Sequence, residues 1–102
     1  MTTLRFILFA LNCWWIFANS LYEAYELYNQ AVFCQHNSHP ADEILRLYLS
    51  AISLKEDFAE AHQNIAIVYE RIGNYEKAAY HHEKSFSCSV DNNFRYEAAK
   101  LT

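Results

Sequence analysis

Three features predict an all-α fold: a single Gly and a single Pro in 102 residues, apolar residues recurring at three- and four-residue spacing beyond residue 20, and helix-end signals where that spacing breaks. Sheet proteins reverse direction often and draw on Gly, Asn and Pro to do it, so this chain lacks the punctuation for many hairpins. Apolar residues make up 53% and charged residues 20%, a balance that can bury a core and is unlike that of a disordered chain. The length suits one small domain with or without a targeting segment, and excludes a multidomain enzyme. A formal charge of −4, with eight basic residues scattered along the chain, predicts no nucleic-acid partner, because phosphate binding needs clustered Lys and Arg.

Residues 1–20 form a segment of their own. From residue 6 to residue 22 there is no charged side chain, and the nearly continuous apolar run follows a lone Arg5. A short basic start, an apolar stretch and small residues beyond it are the pattern of a signal peptide, with cleavage after Ser20 or after Ala18. A membrane anchor is the competing expectation. Seventeen uncharged residues would extend roughly 25 Å as a helix, against a hydrocarbon core of about 30 Å, and Asn12, Asn19 and Ser20 weaken the span. Trp14 and Trp15 suit an interface. Either way, residues 4–18 predict membrane contact and a secretory or membrane-associated location. The alternative is a cytoplasmic protein in which residues 4–18 are an ordinary buried helix.

Residues 21–102 then read as helices. Ser20 and Glu23 fit a capping box that would open a helix running to about residue 36, with Leu21, Ala24, Tyr25, Tyr28, Ala31 and Val32 on one face. Residues 37–40 break it, and Pro40 suits the first position of the next helix, which runs to about residue 55 on a stripe of Ile44, Leu45, Tyr48, Ala51 and Ile52. Asp57 and Glu60 form a second capping box, predicting a third helix to about residue 72. Gly73 supplies a left-handed stop, and Asn74 caps a fourth helix to about residue 88. Asp91, Asn92 and Asn93 predict one more break before the terminus.

Over residues 59–92 the sequence resembles the tetratricopeptide repeat, a 34-residue helix–turn–helix unit. Ile65-Ala66 stand at the family's Leu-Gly pair, followed in register by Tyr69, Gly73, Tyr75 and Ala78. The resemblance implies that small Ala66 and Ala78 let two helices approach while Tyr69 and Tyr75 fill the angle between them. The departures are His62 for the usual Trp, His82 for an aromatic residue, Ser85 for Ala and Val90 for Pro. A step back of 34 residues aligns Tyr48 with His82, so residues 40–58 resemble the second helix of an earlier repeat. A step forward places Tyr96 at the aromatic position where His62 stands. The implied fold is a stack of antiparallel helix-turn-helix repeats, about two plus a partial third.

No catalytic set, metal site or cofactor motif is predicted. His36 and His39 straddle a turn with no suitably spaced third ligand, and adjacent His81 and His82 point about 100° apart on a helix, which favours surface or partly packed roles. Cys34 and Cys88 are expected as separate thiols, with pairing in an oxidising compartment the alternative. Ser85, Ser87 and Ser89 flank His82 without an orienting acid. The resemblance implies a non-enzymatic scaffold whose inner groove holds a peptide or partner helix, lined in the best repeat by Glu60, Gln63, Asn64, Ile67 and Glu70. Asn64 falls where family members often hold a ligand's backbone, and two glutamates favour a neutral or basic partner. The incomplete terminal repeat predicts self-association through its open face. The alternative is the repeat region of a larger secretory-pathway enzyme such as a hydroxylase, methyltransferase or glycosyltransferase.

Overall fold

The computed structural model describes residues 2–100, and the side chains of residue 5 and residues 7–93. It is all-α: α1 (Thr2–His36), α2 (Ala41–Leu54), α3 (Ala59–Arg71) and α4 (Tyr75–Lys100) follow one another with short connections. The helices pair as two antiparallel hairpins, α1 with α2 and α3 with α4. In the second, the Ser85 hydroxyl near one end donates to the Ala59 carbonyl (2.9 Å), while near the other end Lys77 lies over the Tyr69 ring at 5.6 Å. One apolar core runs through both hairpins, drawing on Ala31 and Cys34 of α1, Tyr48 of α2, Ile65 and Tyr69 of α3 and Ala78 of α4.

The chain reverses where its only Pro and only Gly stand, and the two hairpin turns use the same device. At the end of α3, Gly73 adopts φ 83°, its N–H donates to the Glu70 carbonyl (3.1 Å), and the Asn74 N–H donates to the Tyr69 carbonyl (2.9 Å). This pair of bonds is a Schellman motif, which satisfies carbonyls the helix end would otherwise leave bare. At the end of α1, Ser38 takes the glycine's place with φ 57°; its N–H donates to the Gln35 carbonyl (3.3 Å) and the His39 N–H to the Cys34 carbonyl (3.0 Å). Asn74 then caps α4 as expected, its Oδ1 accepting from the Lys77 N–H at 3.3 Å.

Several sequence expectations give way. Ser20 does not open a helix, because α1 passes through it unbroken. With no Gly or Pro in the first 36 residues, serine's modest propensity penalty of about 0.5 kcal/mol cannot stop propagation. Asp57 is not an N-cap either: Phe58 holds that position without a side-chain cap bond, and its ring is buried in the core. Pro40 precedes α2 rather than starting it. The break expected at Asp91, Asn92 and Asn93 is absent and α4 continues to Lys100, for the same reason as at Ser20. Tyr96 lies outside the described side chains. Tyr75, expected between the helices, is 70% exposed, and Tyr69 alone of the two tyrosines is buried.

The two turns generate paired predictions. Gly73→Ala meets no atom within 4 Å, so its cost is conformational alone, about 1 kcal/mol. Ser38→Gly relieves the same left-handed strain and raises stability by about 0.5–1 kcal/mol. Thermal unfolding reads both, at about 4–8 °C per kcal/mol for a domain of this size.

Candidate functional site

The residues expected to line a groove lie on α3, the first helix of the second hairpin, and its counterpart in the first hairpin is α1. Tyr25 and Tyr28 of α1 lie against Phe58 at the start of α3, with ring centroids 5.0 and 4.8 Å apart. Ten residues further along both helices, Gln35 of α1 shares a depression with Val68 and Arg71 of α3. The two helices therefore run in the same direction, bridged by side chains, while α2 packs closely on α3. Of the five expected lining residues, Glu60, Gln63 and Glu70 are exposed, and Ile67 and Asn64 are half-buried. Glu70 is engaged within the chain, accepting from His82 Nε2 at 2.6 Å.

Asn64 is also engaged. Its Nδ2 donates to the Tyr28 hydroxyl (3.2 Å), tying α3 to α1. The fully buried Tyr48 of α2 adds the third helix: its hydroxyl donates to Gln35 Oε1 at 2.6 Å. Burial pushes the Tyr48 phenol up to about 12; the neighbouring Tyr28 adds to this and a hydrogen bond with Asn64 opposes it. The asparagine expected to hold a ligand thus serves a polar joint among three helices.

A second cluster joins α3 to α4. His62 Nε2 lies 3.0 Å from the Glu56 carbonyl, and His62 Nδ1 lies 3.0 Å from His81 Nδ1. A carbonyl can only accept, so Nε2 carries the proton of neutral His62, its Nδ1 is bare, and His81 donates through Nδ1. The His81 ring also stacks on Tyr69 at 5.7 Å. His81 is therefore buried, more fully than the surface or partly packed role expected of it. Burial first, then His62 and Lys77, lowers the His81 imidazole to about 4.

A third cluster lies at the α1–α2 turn. Ligand atoms of Cys34, His39 and Glu43 all sit within 4.8 Å of one another. The sequence paired His39 with His36, which is exposed and not part of this group. The companions come instead from the turn geometry, with Cys34 on one side and Glu43 on the other. Cys34 and Cys88 are both free thiols, the first buried and the second partly so.

The first half of α1 has a different character. Phe9, Trp14, Trp15 and Phe17 are each 63–69% exposed, and Ile7, Leu11 and Ile16 are nearly as open, so apolar side chains cover every side of this stretch. Among the described residues no helix is long and apolar enough to cross a membrane.

No family model, curated protein or solved structure matches the chain.

The joint predicts non-additive losses. Asn64→Ala lowers unfolding free energy by about 1–2 kcal/mol and Tyr28→Phe by about 0.5–1.5 kcal/mol. Because they share a bond, the double variant loses less than the sum, measured by urea unfolding. The histidine pair predicts a pH window. Folded His81 resists the proton down to about 4, whereas the unfolded imidazole accepts it near 6.5. Stability is complete above pH 6.5, falls as pH drops toward 4 and levels off below, by on the order of 2–3 kcal/mol from this group. His81→Phe flattens that part of the profile.

Proposed function

We propose that the protein is a non-enzymatic helical-repeat scaffold that holds another polypeptide along the face shared by α1 and α3. The observation that carries this reading is the parallel course of those two helices, bridged by the rings of Tyr28 and Phe58 and the Asn64–Tyr28 bond. It leaves Tyr25, Glu60 and Gln63 exposed and Ile67 half-exposed while Tyr28, Phe58 and Asn64 join the helices. A face of aromatic, amide and acidic groups on a rigid support suits an extended neutral or basic peptide, or a partner helix, because ordering costs on the scaffold side are already met. Similarity to the tetratricopeptide repeat supports the same use of the inner face, with Asn64 acting through the joint and Gln63 and Ile67 meeting the partner.

The apolar first half of α1 gives this scaffold its location at a membrane. A helix that is apolar all round is stable only when covered, by protein or by lipid. Residues 4–18 combine that character with two adjacent tryptophans suited to the boundary between headgroups and acyl chains.

A photo-crosslinking residue at Gln63 is expected to trap a partner polypeptide in cells, and one at Glu83 on the outer side of α4 is not; equal adducts at both positions, or none at Gln63, would contradict the binding face. Vesicles of phosphatidylcholine and phosphatidylserine are expected to float the intact chain, with flotation reduced by at least about 10-fold in the double variant Trp14→Asp, Phe17→Asp. Undiminished flotation of that variant would contradict the membrane contact.

A further inference from the structure

We propose that the turn between α1 and α2 is a zinc site formed by Cys34 Sγ, His39 Nδ1 and one carboxylate oxygen of Glu43. The turn itself assembles the set. In the Schellman motif that ends α1, Cys34 and His39 occupy the two positions whose backbones bond to each other, and side chains at those positions habitually meet. Glu43 stands one turn into α2, four residues beyond His39, and reaches back to it: His39 Nδ1 and Glu43 Oε2 are 3.3 Å apart. The ring is further set by an edge contact with Phe33 at 6.5 Å.

The dimensions suit the metal. A tetrahedral ion with nitrogen and oxygen ligands at about 2.0 Å separates them by about 3.3 Å, and a thiolate at about 2.3 Å lies about 3.5 Å from each. The nitrogen–oxygen edge is thus already formed, and the thiol lies within the same 4.8 Å group. The donor chemistry fits as well. Imidazole, thiolate and carboxylate together suit a borderline-soft divalent ion, and two anionic ligands neutralise its charge beside the apolar core that holds Cys34. Binding replaces the Cys34 S–H bond with an S–Zn bond and releases that proton to solvent, and the proton that His39 Nδ1 shares with Glu43 passes to Nε2 by way of solvent, leaving Nδ1 bare for the ion. A surface depression of about 410 Å³ is bordered by two of the three ligands, Cys34 and Glu43, together with Glu26 and Arg46, and gives an ion a way to them. Three protein ligands leave a fourth position for water.

Titration of the intact, chelator-treated and reduced chain with Co²⁺ tests this directly. One equivalent is expected to produce the visible bands of tetrahedral cobalt and a thiolate-to-cobalt charge-transfer band, both displaced by Zn²⁺. Cys34→Ser is expected to abolish the charge-transfer band, and Cys88→Ser to leave it intact. Because Cys34 is part of the core, the half-buried His39→Gln and Glu43→Gln carry an independent arm, with affinity expected to fall by at least about 10-fold in each. Absence of the charge-transfer band in the wild-type chain, affinity unchanged by both His39→Gln and Glu43→Gln, or loss of the band in Cys88→Ser would overturn the site.

Discussion

The structure depends on the contact between hairpins, where Phe58 slides under Tyr25 and Tyr28 and Asn64 reaches the Tyr28 hydroxyl. Each hairpin by itself has an apolar face that water would meet, and neither is large enough to be stable alone. Stacking removes both faces from water at once. The rings of Tyr25, Tyr28 and Phe58 meet at this contact, and the Tyr28–Asn64 bond helps fix the register between the hairpins, while the Gln35–Tyr48 bond does so within the first, each by penalising a slip that would bury those polar groups without partners. Among the described residues no buried side-chain polar atom lacks a hydrogen-bond partner, as such a joint requires.

Because the joint is made by Tyr28, Phe58 and Asn64, the neighbouring Tyr25, Glu60 and Gln63 stay exposed. The Schellman turn of α1 has a double consequence. It reverses the chain, and it stacks His39 on Cys34 in reach of Glu43. Ser38 and Gly73, the two left-handed residues, are 35 positions apart, one more than the 34-residue step that aligns Tyr48 with His82. The first turn is therefore one residue longer, and the extra residue is His39, which stands between Ser38 and the N-cap Pro40 where Gly73 is followed at once by the cap Asn74.

Most of the helical architecture was legible in the sequence because it follows from periodicity and from strong breakers. The buried Ile44, Leu45, Tyr48 and Ala51 are the stripe that helical spacing picks out, and Gly73 and Pro40 mark two of the three reversals. Weak signals failed. Ser20 and the Asp91–Asn93 cluster resemble helix ends locally, yet their penalties are small against the gain of continuing a helix already nucleated. The groove residues Glu60, Gln63, Asn64, Ile67 and Glu70 were read from the repeat resemblance. Neither that nor position along α3 could reveal that Asn64 is met by Tyr28, because that bond spans 36 residues and depends on how the hairpins stack. His81 was hidden for a similar reason, since its contact with His62 joins two helices, and the Cys34–His39–Glu43 group depends on the geometry of the turn between α1 and α2. An alternative partner for His62, the histidine at a position expected to be bulky and aromatic, was the one available hint.

Native-state hydrogen exchange gives the most direct test of the claim that the hairpins form one cooperative unit through their shared contact. The account predicts that amides in the buried parts of α1, α2, α3 and α4 exchange with a common opening free energy, and that Phe58→Ala lowers all four together by about 3–5 kcal/mol or to complete unfolding. Protection lost in α3 and α4 alone, with α1 and α2 unchanged, would contradict it.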